Sequence, residues 1–322
     1  MRIAVTCGEP AGIGAEVALK ALAASAADDV EPLLVGPRCV WGEARKLIGG
    51  DDPLVRWEGV DLPAPSVPDW AWGRPTVASN RIAAEAVEAA ARLALDGEVD
   101  AVVTAPLTKE GLHAAGRPYP GHTELLEALC PGGRATMMLA GNRLRVLLVT
   151  THMPLAEVPS RVTRDAVLRT IRAAHLGLSA DFGIPNPRVA VAALNPHGGE
   201  GGVFGPEEAT CIVPAVEQSR AEGIDATGPF PADSLFHRAA EGHFDAVVAM
   251  YHDQGLVALK LLHFHDGVNV TLGLPIVRTS PDHGTAFDIA GRGVARADSF
   301  REALRWAAEI AARRRKSEIR DK

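Results

Sequence analysis

Short runs of β-branched residues alternate with longer alanine-rich segments in the first third of the chain. Residues 2–5, 31–35 and 100–104 have the pattern of buried strands. Residues 14–24 have a helical pattern, and a further helix is predicted to begin after Ser79, which can serve as its N-cap. This strand–helix–strand order predicts an α/β fold with a largely parallel sheet.

An antiparallel element interrupts this pattern in the middle of the chain. Residues 134–140 and 143–150 flank Gly141 and Asn142, a two-residue turn signal, so we expect a β-hairpin there. Later apolar runs predict further strands at residues 188–194, 245–251 and 267–272. The last helix is predicted to begin with a capping box at Ser299. The sheet should therefore be mixed but mostly parallel.

Composition and charge narrow the class of protein. The 322 residues are 47% hydrophobic and 23% charged, which excludes a mainly disordered chain, a collagen and a coiled coil. The length predicts about two domains. The net charge of −7 argues against a general nucleic-acid binder. Because the cysteines form no CxxC pair, and neither a secretory signal nor a long apolar run is present, we expect a cytoplasmic protein with no membrane partner.

Three of the 11 histidines each follow an apolar run that predicts a strand: His152, His197 and His252. Ligands gather beyond the carboxyl ends of strands in α/β sheets, so these imidazoles could converge on one metal ion. A three-histidine set is typical of catalytic zinc, and imidazole also suits other divalent ions. The glycine-rich residues 195–202 favour a ligand, since glycine lets a backbone approach closely. The alternative, that each histidine merely begins a loop and bonds to backbone, stays open.

Two segments of the first half are candidate anion sites. Residues 8–14 follow the first strand and open a helix, where backbone N–H groups can receive an anion. Val17 replaces the last glycine of the dinucleotide fingerprint, so a conventional Rossmann site is disfavoured, and a plain tight turn is the alternative. Thr123 is predicted to N-cap a helix, which would place His122 and Thr123 at its positive end. Plain capping is the alternative there.

Polar residues near the predicted strand at residues 267–272 form another candidate site. Lys260, Asn269 and Arg278 flank or lie in this apolar strand, which suggests a phosphate or carboxylate clamp. Solvated surface groups are the alternative. Residues 281–291 mix acids, a histidine and small residues, and this mixture indicates a functional loop.

Five segments together resemble one family, and the similarity covers nearly the whole chain; they are residues 8–14, 120–124, 195–197, 251–255 and 267–291. The family is that of the 4-hydroxythreonine-4-phosphate dehydrogenases of pyridoxal phosphate biosynthesis, which is similar in turn to the isocitrate and isopropylmalate dehydrogenases. The resemblance implies a two-lobed, three-layer α/β/α fold with mixed, mostly parallel sheets and a cleft between the lobes. We expect residues 1–125 and 285–322 to form the first lobe. Residues 126–284 would form the second, with the metal ligands and the dimer contacts.

The resemblance implies a homodimeric dehydrogenase that uses NAD or NADP and one divalent ion (zinc, magnesium or cobalt) per site. It would oxidise 4-phosphooxy-L-threonine to 2-amino-3-oxo-4-phosphooxybutanoate. This β-keto acid loses CO2 to give 3-amino-2-oxopropyl phosphate. The site would be completed across the subunit interface, and no nucleic acid or membrane partner is implied.

The resemblance also assigns roles to residues. The family's metal ligands match His152, His197 and His252. Its substrate-binding positions match His122, Thr123, Lys260, Asn269 and Arg278. The nicotinamide-cofactor loop of the wider superfamily is similar to the loop that holds His283, Gly284, Thr285 and Asp288. The candidates for acid–base or orienting roles, because they lie beside these residues, are Asp253 and Asp282.

The chain departs from the family at three positions. Glu9 stands where the family usually has aspartate, Thr108 where it has asparagine, and Gly199 where it has alanine. Relatives of the family oxidise D-threonate or D-erythronate 4-phosphate, so a dehydrogenase for such a hydroxy acid is an alternative. A metal-dependent hydrolase or aldolase, and a phosphate-binding protein with structural histidines, are the further alternatives.

Overall fold

The computed structural model describes residues 1–24, 30–49, 58–63 and 69–320. The chain forms two compact units. One comprises Met1–Ala135 and Leu274–Lys322, and the other comprises Thr136–Gly273. Within the described ranges, no helix combines the length and the apolar character needed to cross a bilayer.

Strands and helices alternate along most of the chain. The strands are β1 (Arg2–Thr6), β2 (Glu31–Val35), β3 (Glu58–Val60), β4 (Ala101–Val103), β5 (Thr136–Ala140), β6 (Arg145–Leu148), β7 (Val189–Ala192), β8 (Ala226–Phe230), β9 (Ala246–Ala249), β10 (Val268–Leu272) and β11 (Arg278–Pro281). The α-helices are α1 (Gly14–Ala24), α2 (Arg38–Ile48), α3 (Val77–Leu95), α4 (Lys109–Ala114), α5 (His122–Leu129), α6 (Val158–Arg161), α7 (Arg164–Ala180), α8 (Val213–Ala221), α9 (Ala232–Ala240), α10 (His252–His263) and α11 (Asp298–Arg320).

The unit formed by Met1–Ala135 and Leu274–Lys322 has its described strands in the order β3-β2-β1-β4-β11. Each neighbouring pair is parallel. β1 lies at the centre, and its residues Ile3, Ala4 and Val5 are fully buried. A strand covered on both faces needs a continuous apolar run, which is the pattern that predicted β1, β2 and β4.

The unit formed by Thr136–Gly273 has the described strand order β10-β5-β6-β9-β7-β8. β5 is antiparallel to β10 and β6, whereas β6, β9, β7 and β8 run parallel. The expected hairpin is therefore confirmed, as is the α/β class with mixed, mostly parallel pairing. The hairpin connection is longer than expected, because Ala140 pairs with Arg145 and the Gly141 N–H donates to the Leu144 carbonyl. The buried His263 ring packs against Gly141 and leaves no room there for a side chain.

Two predicted helix starts are displaced by a few residues. Ser79 lies inside α3, where it is the capping-box partner of the true N-cap, Thr76. Ser299 lies inside α11, which begins at Asp298, and its hydroxyl accepts a hydrogen bond from the Asp282 N–H at 2.9 Å. A serine hydroxyl can serve any nearby N–H, so its sequence position alone does not fix which backbone it caps.

Replacement of two helical glycines by alanine should have opposite effects on the free energy of unfolding. A Cβ on Gly255 in α10 would lie 2.6 Å from Val146 Cγ1 and also meet Leu148, whereas a Cβ on Gly42 in α2 would meet nothing within 4 Å. We expect Gly255→Ala to lower the free energy of unfolding by about 1–3 kcal/mol through overpacking. Gly42→Ala should raise it by about 0.5–1 kcal/mol through helix propensity. Urea denaturation measures both, and a Gly255→Ala variant as stable as the wild type would contradict the close helix–sheet packing.

Candidate active site

Three histidines follow neighbouring parallel strands in Thr136–Gly273. His152 follows β6, His252 begins α10 directly after β9, and His197 follows β7. These strands lie side by side in the order β6, β9, β7. The carboxyl ends of parallel strands share one edge of a sheet, so all three side chains belong to the same edge.

The structure brings two of these three rings together. The ring centroids of His152 and His252 are 5.5 Å apart, which is close enough for one ion to contact a nitrogen of each. The His197 ring lies instead beside Phe204, with centroids 6.1 Å apart. In the part of the chain that is described, no group of three or more His, Cys, Asp or Glu side chains is positioned to hold a metal ion. The three-histidine site therefore stays a prediction.

The neighbours of His252 orient its ring and fix its loop. Asp253 Oδ1 lies 2.6 Å from His252 Nδ1, a contact that leaves Nε2 as the ring nitrogen for a ligand. Gln254 accepts the Met250 N–H and donates to the Ala193 carbonyl, each at 2.7 Å, and so ties the end of β9 to the end of β7. Sequence reasoning missed Gln254. The signal that could have found it was its place in the segment 251–255, directly after His252 and Asp253.

The loop that carries His197 has an unusual backbone. Residues 197–201 all adopt positive φ angles, which are 53° at His197 and 41° at Glu200. The glycines between them adopt such angles easily, whereas the two non-glycine residues do so at a cost in strain. Strain of this kind persists only where the surroundings hold it, and it occurs most often at functional sites.

Arg278 provides a buried positive charge in the other unit. It begins β11 and is 2% exposed, and its Nε and Nη2 donate to Thr104 Oγ1 at 3.1 and 2.7 Å. Burial lowers the pKa of Arg278 to about 9, while the negative charge of Glu124 opposes the shift. The guanidinium therefore remains protonated at neutral pH and is held in one orientation by Thr104.

His122 is the first residue of α5, whose N-cap is Gly121. Thr123 thus lies inside the helix, and its predicted capping role is wrong. Burial and the positive charge of Arg278 hold the pKa of His122 well below its ordinary value, although a hydrogen bond to the Ala105 backbone acts the other way. The ring is therefore neutral at neutral pH. Its Nε2 is buried with no hydrogen-bond partner among the described residues, so a ligand could occupy that position.

Two further predicted substrate residues lie in Thr136–Gly273. Asn269 is in β10, and its buried Oδ1 has no hydrogen-bond partner in the described structure. Lys260 is in α10, with Nζ 5.9 Å from the centre of the Phe264 ring. An amide oxygen and an ammonium group can accept from and donate to a small polar ligand.

The predicted cofactor loop lies between β11 and α11 and includes His283, Gly284, Thr285 and Asp288. The loop is anchored at two points. The Ile13 N–H donates to the carbonyl of the buried Thr285 at 3.0 Å, and the Asp282 N–H donates to the Ser299 hydroxyl. Ala286 adopts a φ of 43°, a left-handed angle that is strained for alanine. The loop is thus preorganised, and Asp282 is fixed through its backbone.

Glu9, one of the three residues that depart from the family pattern, is buried in the turn before α1. Its Oε2 accepts the Ala11 N–H at 2.9 Å. Burial raises the pKa of Glu9, while hydrogen bonds from Ser79 and the turn backbone oppose the rise. The extra methylene relative to aspartate is therefore accommodated inside the turn.

Comparisons with known proteins agree on one family. The family model described as pyridoxal phosphate biosynthetic protein PdxA matches residues 30–307. A 4-hydroxythreonine-4-phosphate dehydrogenase of Geobacter metallireducens is 51% identical, over 96% of this chain and 95% of its own length. The crystal structure of the Klebsiella pneumoniae 4-hydroxythreonine-4-phosphate dehydrogenase is 41% identical with a TM-score of 0.85, covering 96% of this chain and 98% of that one. The corresponding Burkholderia phymatum structure is 43% identical with a TM-score of 0.79, at 96% and 98% coverage.

The sequence match extends over both units of the chain, and the solved relatives share its α/β fold. The resemblance noted from the motifs is thereby confirmed, and the protein is an enzyme of the oxidoreductase class. The chain belongs to the PdxA family of pyridoxal phosphate biosynthetic proteins.

Proposed function

We propose that the protein oxidises 4-phosphooxy-L-threonine to 2-amino-3-oxo-4-phosphooxybutanoate, with NAD or NADP and a divalent metal ion. The hydrogen on the alcohol carbon leaves as hydride and the hydroxyl proton is released. The resulting β-keto acid loses CO2 to give 3-amino-2-oxopropyl phosphate. The observation that carries the proposal is the match to the Geobacter metallireducens 4-hydroxythreonine-4-phosphate dehydrogenase, which is 51% identical over 96% of this chain and is named for this substrate.

The buried Arg278 supports an anionic substrate. Its guanidinium is fixed by Thr104 and suits bidentate binding of a phosphate or carboxylate. The neutral His122 donates one ring N–H to the Ala105 backbone, which leaves Nε2 as an acceptor for a substrate O–H or N–H. The family's substrate-binding positions also match Lys260 and Asn269, whose ammonium and amide groups suit a substrate with anionic and hydroxyl or amino groups.

The residues also fit a metal ion and a nicotinamide. Three imidazoles, His152, His197 and His252, would hold a divalent ion, and Asp253 would orient the His252 ring. The anchored loop at residues 282–288 would position the cofactor. A bound divalent ion supplies a lowered pKa for the substrate hydroxyl, and a bound nicotinamide accepts hydride. The protein's own contribution is orientation and a fixed field of buried polar groups.

An apolar stripe on α10 supports assembly of two copies. Val257, Leu261 and Phe264 are 70%, 85% and 69% exposed and recur at the spacing of one helix face. Exposed apolar patches of this kind mark interaction surfaces. We propose a homodimer through this stripe, in which each site is completed by the partner. Because α10 begins with His252, dimer contact and metal site would share one element.

The assay of the proposed reaction uses 4-phosphooxy-L-threonine, D-threonate 4-phosphate and D-erythronate 4-phosphate, each with NAD and with NADP. We expect absorbance of the reduced cofactor with 4-phosphooxy-L-threonine, because the relatives are named for it. A chelator should abolish the signal, and added divalent ion should restore it. Faster turnover of either hydroxy acid would favour the alternative substrate, and absence of any absorbance change would reject a dehydrogenase.

Replacement of the buried arginine tests substrate binding. Arg278→Lys keeps the charge but loses the planar fork held by Thr104. The loss of a charged hydrogen bond is worth about 1.5–3 kcal/mol, so kcat/KM should fall roughly 10- to 100-fold. Arg292→Lys, the same change at an exposed arginine, is the control and should leave kcat/KM unchanged. Equal values for both variants would refute a substrate role for Arg278.

A charge in the apolar stripe tests the dimer. Leu261→Asp should yield monomers at concentrations where the wild type is dimeric, since burial of a lone carboxylate is unfavourable. Leu176→Asp places the same charge at an exposed leucine of α7 and should remain dimeric. Analytical ultracentrifugation measures both, and a Leu261→Asp variant that stays dimeric would exclude this surface.

A further inference from the structure

A buried carboxylate accepts hydrogen bonds from the residues that directly precede the loop carrying His197. Glu208 is 5% exposed, and its Oε1 accepts two backbone N–H groups, from Leu194 at 2.9 Å and from Asn195 at 2.7 Å. Its Oε2 accepts the Asn195 side-chain N–H at 2.9 Å. One side chain thus fixes both the backbone and the side chain at the end of the segment that follows β7.

The backbone around Glu208 is itself irregular. Residues 208–212 form a π-helical turn, closed by the Val213 N–H donating to the Glu208 carbonyl, and the turn leads directly into α8. π-helical turns are rare and occur often at functional sites. The arrangement places the Glu208 carboxylate against Leu194 and Asn195, which are more than ten residues away in sequence.

The loop held by Glu208 needs an external constraint. Its six consecutive positive φ angles, at residues 197–202, include those of His197 and Glu200, which an isolated peptide would rarely adopt. At the start of the loop, the Asn195 N–H donates to the Glu208 carboxylate at 2.7 Å. Because Asn195 directly precedes the turn that contains His197, a fixed Asn195 backbone restricts where the imidazole can lie.

We propose that Glu208 is a positioning residue that fixes the backbone next to His197 and so restricts where the imidazole can lie before an ion binds. This inference rests on the proposed function, since it takes His197 as a ligand. Groups that orient metal ligands without touching the metal commonly affect metal affinity by about 10- to 100-fold. Glu208 would act in this way through the backbone, whereas Asp253 contacts the ring of His252 itself.

The chemistry of the contact requires a carboxylate. Both oxygens of Glu208 accept, and all three partners are N–H donors. A glutamine has one oxygen and one NH2 group, so one side of the contact would place two donors against each other. Glu207 provides a matched comparison, because its Oε2 also accepts from Asn195 Nδ2, at 2.8 Å, but within the described residues it accepts no backbone N–H of this segment.

Metal titration of the full-length protein tests the proposal. Cobalt(II) is titrated calorimetrically into the wild type, Glu208→Gln and Glu207→Gln. We expect Glu208→Gln to weaken cobalt binding by about 10- to 100-fold and Glu207→Gln to leave it unchanged. Wild-type affinity in Glu208→Gln, or an equal loss in both variants, would overturn the positioning role.

A third variant separates this inference from the proposed function. His197→Ala should lose high-affinity cobalt binding. If His197→Ala binds cobalt as the wild type does, His197 is not a ligand, and both the proposed site and the positioning role fail. If His197→Ala loses binding while Glu208→Gln retains it, only the positioning role fails.

Hydrogen exchange gives a readout that does not require a folded Glu208 variant. In the metal-free wild type, the Leu194 and Asn195 amides should exchange slowly, because Glu208 already accepts both. Addition of cobalt should change their protection little. Rapid exchange of these amides that becomes slow only with metal would show that the ion, rather than Glu208, orders the loop, and would overturn the proposal.

Discussion

Parallel pairing of β6, β9 and β7 is the constraint on which the candidate metal site depends. Each strand delivers its following loop to the same edge of the sheet, so residues distant in sequence become neighbours without contacts of their own. The strands determine where each loop begins, but not where the side chains of the loop lie. Gln254 then donates a hydrogen bond to the Ala193 carbonyl and Glu208 accepts one from the Asn195 N–H, which fixes the loops, and Asp253 contacts the His252 ring. Precision is thus added in stages, from sheet to loop to side chain.

The unit formed by Met1–Ala135 and Leu274–Lys322 also has a buried polar pair beside parallel strands. β4 and β11 are parallel neighbours, and the buried pair of Thr104 and Arg278 lies where they run together. The positive charge of Arg278 helps to keep the adjacent His122 neutral. A cation and a neutral imidazole acceptor are therefore available in the same unit, mainly because both side chains are buried.

A feature of this structure can be predicted from the sequence when it depends on residues within one segment, and not when it depends on contacts between segments that are distant in sequence. Strands β1, β2 and β9 were predictable because burial on both faces demands continuous apolar runs. Strand β10 was predictable from the alternation of Val268, Val270 and Leu272 with polar residues. The cap positions of Ser79, Thr123 and Ser299 were misplaced, since a hydroxyl has several possible N–H partners within a few residues. The roles of Glu208 and Gln254 could not be predicted, because they depend on hydrogen bonds with the backbone of other loops, and the residue type alone does not indicate such bonds.

The division of the chain has a consequence for the order in which the protein is made. β4 belongs to the first part of its unit, whereas its parallel neighbour β11 lies beyond the whole of Thr136–Gly273. On the ribosome, β4 therefore emerges long before β11, with one edge unpaired, and an unpaired edge can pair with another chain. The inserted unit has all its described strands within one continuous stretch and can complete its sheet first. Synthesis thus leaves the first sheet open until the final segment of the chain appears.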